Sequence, residues 1–180
     1  MEKYRVSGPD ALLFLNRLVT RDISGLQPNR VTYVVWCNDE GKVLDDGTIF
    51  NLGGGHYRLC SQHHQLDWLL ISSLGFDVTI EEETHSIAAL AIQGPTSYSV
   101  LSAAGIKDLD QLKPFGILNI SVNGIECMVS RTGFTGDLGY EIWVDPCHAS
   151  ELWDMIFSLR ERGLFDIRPT GLGALEMVRI

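Results

Sequence analysis

Two acidic segments are the parts of the sequence whose residue types could do chemistry. Asp45 and Asp46 stand together at the start of a predicted strand, and Glu141 follows the glycine-rich stretch Gly133–Gly139. Carboxylates can act as general bases, stabilise a developing positive charge and accept hydrogen bonds, and glycines allow the backbone to approach a ligand closely. A simpler interpretation stays open for both segments, because charged pairs usually lie in solvent and strand alternation could turn Glu141 outward.

Charge and motifs exclude several functional classes. The chain of 180 residues has a formal net charge of −9 and no run of Lys or Arg, so a small ligand is expected rather than nucleic acid. No Gly-x-Ser-x-Gly motif is present, and the glycine spacing is not a dinucleotide fingerprint because a strand follows it. The adjacent His63 and His64 have no second ligand cluster near them, so no metal site is predicted.

The chain has the features of a cytoplasmic protein. No apolar run approaches the roughly 20 residues that a membrane helix needs, so a membrane partner is not expected. The N-terminus lacks the apolar core of a signal peptide. The four cysteines are far apart and form no Cys-x-x-Cys pair, which favours reduced thiols in a cytoplasmic compartment.

The first half of the chain is predicted to be rich in antiparallel strands. A helix opens at Gly8-Pro9-Asp10 and should stop near Arg21. Alternating residues and turn signals then predict a three-stranded meander, followed by a helix and one more strand. The predicted ranges are 31–37, 43–51 and 57–62 for the meander, 64–74 for the helix and 77–82 for the last strand.

The second half repeats a β-rich block followed by a helix, with Asn123-Gly124 as a tight hairpin turn. Its predicted ranges are strand 87–92, a helix from 94 to 104, strands 116–122, 125–130 and 140–144, and helix 149–160. The repetition predicts an α+β fold of two small subdomains with mainly antiparallel sheets and flanking helices. Segment 168–180 stops inside a predicted helix that opens at Pro169 or Thr170, which predicts that the chain is a fragment.

Three blocks of sequence carry a resemblance to a known family. They are Tyr33-Val-Val-Trp-Cys-Asn-Asp-Glu-Gly-Lys-Val-Leu-Asp45-Asp46, Arg131-Thr-Gly-Phe134-Thr-Gly-Asp-Leu-Gly-Tyr-Glu141-Ile and Gly171-Leu-Gly-Ala-Leu-Glu-Met-Val-Arg179. Together they resemble the glycine-cleavage aminomethyltransferase (T-protein) family, and similar segments at Val6–Ala11 and Ala91–Thr96 extend the resemblance over the chain. Family members are longer on both sides. The resemblance therefore implies that residues 1–180 form an incomplete aminomethyltransferase-like folate-binding domain.

The resemblance also implies a function and a set of site residues. It implies small α+β subdomains around a channel for tetrahydrofolate, and transfer of a methyl or aminomethyl/methylene unit from an amine-type donor to tetrahydrofolate. By position, Asp46 is the implied catalytic residue, and Glu141 accepts hydrogen bonds from the N–H edge of the pterin. The implied cofactor-binding residues are Tyr33, Cys60, Gln62, Phe134 and Glu141.

Two of these residues have an alternative assignment. Tyr33 and Phe134 occupy family positions that flank the folate with aromatic faces, which suit the sandwiching of a flat ring. From the residue types alone, either side chain could equally belong to a hydrophobic core.

One block departs from the family pattern. Aminomethyltransferases usually have Ala-Arg-Asp where this chain has Ala174-Leu175-Glu176. That change resembles the folate domains of dimethylglycine and sarcosine oxidising enzymes. The departure implies that the donor need not be an aminomethyl group on a lipoyl carrier. The resemblance as a whole implies a small-molecule methyl or aminomethyl donor, with a lipoyl carrier protein or a flavin domain as alternative protein partners. Two other functions stay open: a non-catalytic folate-binding protein of the same fold, and the folate domain of a larger flavin-dependent demethylating oxidase.

Overall fold

A computed structural model describes residues 1–178 and divides the chain into two compact units, Met1–His85 and Ser86–Ile180. Each unit is an antiparallel sheet with helices packed against one face. The predicted α+β class and the two antiparallel subdomains are confirmed. Arg179, the last residue of the third family block, lies outside the described residues.

The first unit contains a five-stranded antiparallel sheet with the strand order β2-β3-β4-β1-β5. Its elements are β1 Glu2–Ser7, α1 Ala11–Leu18, β2 Arg30–Cys37, β3 Val43–Gly53, β4 His56–Ser61, α2 Leu66–Ser72 and β5 Thr79–Glu82. The predicted meander is confirmed as β2, β3 and β4. Strand β1 was absent from the predicted elements, although it lies between β4 and β5 and joins the meander to the last strand.

One face of this sheet forms the core of the first unit. Alternate residues of a strand point to the same face, so each strand contributes every second side chain to that core. The most deeply buried of these strand residues are Tyr4, Val6, Val34, Trp36, Ile49 and Leu59. Helix α1 covers them with Phe14 and Leu15, which have no exposed surface.

The second unit contains a four-stranded antiparallel sheet with the strand order β6-β9-β8-β7. Its elements are β6 Ala88–Gln93, α3 Ser97–Ala103, β7 Ile117–Val122, β8 Ile125–Ser130, β9 Gly139–Val144, a 3₁₀ turn Pro146–His148, α4 Ala149–Glu161 and α5 Leu172–Val178. Asn123 and Gly124 have φ angles of 51° and 82°, as the predicted tight turn requires. The core again occupies one face, where Val129, Ile142 and Leu152 are buried.

The helices of residues 1–178 are all too short or too polar to cross a lipid bilayer.

Gly47 lets two strands of the first sheet approach each other closely. Gly47 of β3 pairs with Ser61 of β4, and a Cβ atom placed on Gly47 would lie 1.9 Å from the carbonyl oxygen of Cys60. That oxygen is part of the backbone of an interior strand, so it cannot move aside without disturbing the sheet. A glycine is therefore required beside Asp46 for a packing reason.

The variant Gly47→Ala tests this packing. We expect a loss of about 1 to 3 kcal/mol in the free energy of unfolding, because the added methyl group would push β3 away from β4. Urea denaturation followed by circular dichroism measures the change. Gly25→Ala is the matched control, since a Cβ at Gly25 meets nothing within 4 Å. Equal stability of the two variants would contradict the close approach at Gly47.

Candidate functional site

Three of the predicted site residues of the first unit lie on one face of its sheet. The register pairs Val35 with Asp46, and Thr48 with both Tyr33 and Cys60. Directly paired residues point to the same side of a sheet, so Tyr33, Asp46 and Cys60 share the face opposite the core. We call this surface the non-core face of the first sheet.

The exposure of these residues differs along the face. Asp46 is exposed and Tyr33 is 47% exposed, so the core alternative for Tyr33 is wrong. Cys60 is 1% exposed and lies in the interior strand β4, where its main-chain groups face the neighbouring strands. Gln62 follows the end of β4 and is exposed.

Asp45 is not a solvated partner of Asp46. Its side chain is only 2% exposed, and its two carboxylate oxygens accept hydrogen bonds from two backbone N–H groups. The N–H of Asp46 donates to Oδ1 at 2.8 Å, and the N–H of His63 donates to Oδ2 at 2.9 Å. The solvated interpretation was therefore wrong for Asp45, because the pleat turns Asp45 and Asp46 to opposite faces of the sheet.

A buried ionic cluster lies further along the non-core face of the first sheet. Glu83 is 7% exposed, and the guanidinium groups of Arg5 and Arg58 both donate to its carboxylate. The Arg5 Nη2 to Glu83 Oε2 distance is 2.9 Å. Arg5 belongs to β1 and Arg58 to β4, while Glu83 directly follows β5. The cluster therefore ties three strands together, and no sequence motif had marked it.

Glu141 is the best-defined candidate of the second unit. Glu141 pairs with Ser130 of β8 and lies on the face opposite the core, since its neighbours Tyr140 and Ile142 are both core residues. Thr132 Oγ1 donates to Glu141 Oε2 at 2.5 Å, and Ser130 Oγ lies 3.5 Å from the same oxygen. Trp143 Nε1 donates to Ser130 Oγ at 3.0 Å, which holds that hydroxyl in place.

The electrostatic state of Glu141 follows from these contacts. Burial raises the pKa of Glu141, and the hydroxyl hydrogen bonds of Thr132 and Ser130 offset that effect only in part. Within residues 1–178, Glu141 Oε1 accepts no hydrogen bond and no cation pairs with the carboxylate. Alternation did turn Glu141 away from the core, as the simpler interpretation expected, but its side chain is half-buried rather than free in solvent.

Gln93 occupies the space that two glycines leave open. Its Nε2 donates to the carbonyl oxygens of Thr132 and Tyr140 at 3.3 and 3.2 Å. A Cβ on Gly133 or Gly139 would lie 2.1 or 1.9 Å from Gln93 Oε1. These two glycines were expected to allow a ligand to approach, whereas in the structure they accommodate the side chain of Gln93. Phe134, in the same loop, is 44% exposed, so the core alternative is wrong for it too.

Several contributors to the site were missed at the sequence level. Gln93, Ser130 and Thr132 hold Glu141 or the loop of Phe134 in place. Asp45 had been singled out as a carboxylate, but not as the acceptor that holds the backbone of Asp46. The spacing Ser130-x-Thr132 was a usable signal, because residues two apart on an extended chain point to the same side. Within residues 1–178, no group of three or more His, Cys, Asp or Glu side chains could hold a metal ion.

The fold of this chain is shared with two solved structures. The chain superposes on the glycine cleavage system aminomethyltransferase T from Bartonella henselae with a TM-score of 0.83 at 24% identity, covering 99% of this chain and 47% of that one. A heterotetrameric sarcosine oxidase from Corynebacterium sp. U-96 matches with a TM-score of 0.63 at 14% identity, covering 93% of this chain and 83% of that one. The family described as "GCVT N-terminal domain" matches residues 1–180. The chain therefore belongs to the aminomethyltransferase family of the glycine cleavage system.

Curated relatives agree with this assignment. An aminomethyltransferase of Desulfitobacterium hafniense is 33% identical over 99% of this chain and 50% of its own length. One from Caldanaerobacter subterraneus is 36% identical over 97% of this chain and 47% of its own length. One from Bacillus subtilis is 35% identical over 99% of this chain and 50% of its own length. The chain spans about half the length of the curated relatives it matches.

The variant Glu141→Gln should stabilise the protein at neutral pH in the absence of ligand. The pKa of Glu141 is raised above its ordinary value of 4.5, so its contribution to stability is present below that pH and is lost as pH rises through the folded-state pKa. Glutamine does not ionise and escapes this loss. The difference in Tm between variant and wild type should thus be small near about pH 4 and grow toward about pH 7.

Glu126→Gln is the matched control for this titration. Glu126 lies on the same face of the same sheet but is exposed, so its exchange should leave Tm unchanged across the pH range. A Tm difference for Glu141→Gln that does not vary with pH would contradict the assigned electrostatics.

Proposed function

We propose that the protein transfers a one-carbon unit, methyl or aminomethyl/methylene, from an amine-type donor to tetrahydrofolate. In this proposal residues 1–180 form an incomplete aminomethyltransferase-like folate-binding domain. Membership of the aminomethyltransferase family supports the reaction class. The observation that carries the proposal is Glu141, a half-buried carboxylate with one oxygen that no residue of 1–178 supplies with a donor.

Glu141 is suited to the N–H edge of a pterin. Burying a carboxylate costs free energy unless charge-assisted hydrogen bonds compensate for the lost water. Thr132 and Ser130 provide compensation only at Oε2. The flat row of amino and ring N–H donors on a pterin would satisfy Oε1 as well, because an ionised carboxylate can accept several such bonds. The residues present therefore fit tetrahydrofolate.

Asp46 is assigned the chemical role. When bound, tetrahydrofolate would supply the nitrogen that takes up the one-carbon unit. An exposed carboxylate beside that nitrogen can orient it, accept its proton and stabilise positive charge that develops during transfer. Asp46 meets the structural requirement, since its side chain leaves the sheet on the non-core face while its backbone N–H is held by Asp45.

The remaining assignments concern packing around the ligand. Tyr33 and Phe134 are each nearly half exposed, and their rings are proposed to lie against the flat parts of the folate. The exposed amide of Gln62 is proposed as a polar contact, and the buried Cys60 as part of the surface beneath the ligand.

The donor is proposed to be an amine that carries the methyl or aminomethyl group. It is either a free small molecule or is delivered by a partner, which is a lipoyl carrier protein or a flavin domain. The sarcosine oxidase match and the sequence Ala174-Leu175-Glu176 favour a methylated amine and a flavin partner as the second candidate. The aminomethyltransferase relatives favour a lipoyl carrier. Turnover of tetrahydrofolate with an aminomethylated lipoyl carrier, compared with dimethylglycine plus a flavin oxidase, separates the two.

Calorimetric titration with tetrahydrofolate under reducing conditions tests the role of Glu141. The variant Glu141→Gln should bind about 10- to 100-fold more weakly, the factor that corresponds to losing a hydrogen bond to a charged group. Because this exchange should stabilise the unliganded protein, weaker binding cannot be attributed to unfolding. Glu126→Gln is the control and should bind like the wild type. A wild type that is folded and binds no tetrahydrofolate would contradict the proposed function.

Steady-state kinetics of the variant Asp46→Asn test the chemical role. We expect kcat to fall about 10²- to 10⁴-fold, the range lost with a general base, while the Kd of tetrahydrofolate stays within about threefold of the wild type. Asp39→Asn, an exposed aspartate in the turn before β3, is the control with unchanged kcat. Full activity of Asp46→Asn would instead favour a non-catalytic role for this residue.

A further inference from the structure

The backbone of the candidate catalytic residue is held by a buried carboxylate at the end of a strand ladder. The regular pairing of β3 with β4 ends at Gly47 and Ser61. Beyond that pair, the N–H groups of Asp46 and His63 both donate to the carboxylate of Asp45, at 2.8 and 2.9 Å. Ser61 Oγ donates to the carbonyl oxygen of His63 at 2.7 Å and closes the turn 61–63 that follows β4. Asp45 thus continues the connection between the two strands where the ladder stops.

This arrangement requires a side chain at position 45 with two acceptor oxygens. Two N–H donors point at one side chain, and only a carboxylate offers an acceptor oxygen to each of them. An asparagine of the same shape has one acceptor oxygen and one NH₂ group, so it would satisfy one donor and oppose the other. The side chain of Asp45 is 2% exposed, so water does not substitute for the lost acceptor.

Two candidate site residues are affected by this bridge. Asp46 directly follows Asp45, and Gln62 lies between Ser61 and His63, both of which belong to the bridged turn. We propose that Asp45 is a positioning residue that fixes Asp46 and the Gln62 turn relative to each other for the transfer step. The inference rests on the proposed function, because it needs Asp46 to act in one-carbon transfer.

The expected kinetic effect follows from the geometry. A catalytic group displaced by about 1 Å can cost about 100-fold in rate, while ligand affinity that depends on other residues is retained. A residue with a stability role alone would lower Tm and leave the kcat of the folded fraction unchanged. A fall in kcat at an unchanged Kd for tetrahydrofolate would therefore indicate a positioning role for Asp45, and a fall in Tm alone would indicate a role in stability only.

The test uses Asp45→Asn in the full-length protein, with Asn51→Asp as the matched control. Asn51 is buried at the other end of β3, and its side chain also bridges two backbone groups, those of Leu26 and Gly53. Each exchange is nearly isosteric and breaks one of two backbone hydrogen bonds. We expect kcat of Asp45→Asn to fall at least about tenfold with the tetrahydrofolate Kd within about threefold, and Asn51→Asp to lower Tm without changing kcat.

A double variant shows whether Asp45 acts through Asp46. In the Asp46→Asn background, Asp45→Asn should lower kcat by less than about twofold further, because groups that act as a unit are not additive. If Asp45→Asn fails to fold, Ser61→Ala loosens the same turn by removing one neutral hydrogen bond, and it should lower kcat about threefold or more at unchanged Kd.

Three outcomes would overturn the inference. They are an unchanged kcat in folded Asp45→Asn (or in Ser61→Ala if that variant replaces it), an equal kcat loss in Asn51→Asp, and an additive loss in the double variant. In each of these cases the wild type still binds tetrahydrofolate and turns it over, so the proposed function is not contradicted. A wild type that binds no tetrahydrofolate would overturn both the proposed function and the role of Asp45.

Discussion

The pleat of an antiparallel strand gives only every second residue to a core, and the candidate chemistry of this protein depends on that constraint. Each unit uses one face of its sheet for a hydrophobic core, and the candidate residues Asp46 and Glu141 lie on the other face. In the first unit the pleat separates two adjacent aspartates. Asp45 is buried and holds backbone, while Asp46 projects from the non-core face. Two adjacent residues of the same type therefore lie in two different environments.

Asp45, Glu83 and Glu141 are partly or fully buried carboxylates that are stabilised in three different ways. Glu83 accepts hydrogen bonds from two guanidinium groups, and Asp45 accepts from two backbone N–H groups. Glu141 has only hydroxyl donors, both on one oxygen, and burial raises its pKa. The first two carboxylates are satisfied within the fold, whereas Oε1 of Glu141 has no donor within residues 1–178 and stays open to solvent or a ligand. A ligand with an N–H edge would donate to that oxygen, which is why the proposed recognition of folate centres on Glu141 rather than on the other two.

Rigid supports surround the candidate residues in both units. In the first unit, the Arg5–Glu83–Arg58 cluster and the close approach at Gly47 fix the strands that carry Asp46 and Cys60. In the second unit, Gln93 fills the space above Gly133 and Gly139 and fastens the loop that presents Phe134. Sites built on supported strands keep the sub-ångström precision that group transfer needs. These glycines are needed because a side chain at their positions would clash with the protein's own groups.

The sequence by itself determined the local elements and the family. The meander, the Asn123-Gly124 hairpin and the helix α4 depend on turn chemistry and periodicity within a few residues, and they were predicted correctly. Only the tertiary structure decided which faces are buried. Strand β2 has apolar residues in both alternating sets, so its pattern did not distinguish Val34 and Trp36, which face the core, from Tyr33. The insertion of β1 between β4 and β5, the burial of Asp45 and the fit of Gln93 against Gly133 all arise between residues far apart in the chain. Such contacts have no local signal, because they depend on which strands become neighbours when the sheets assemble.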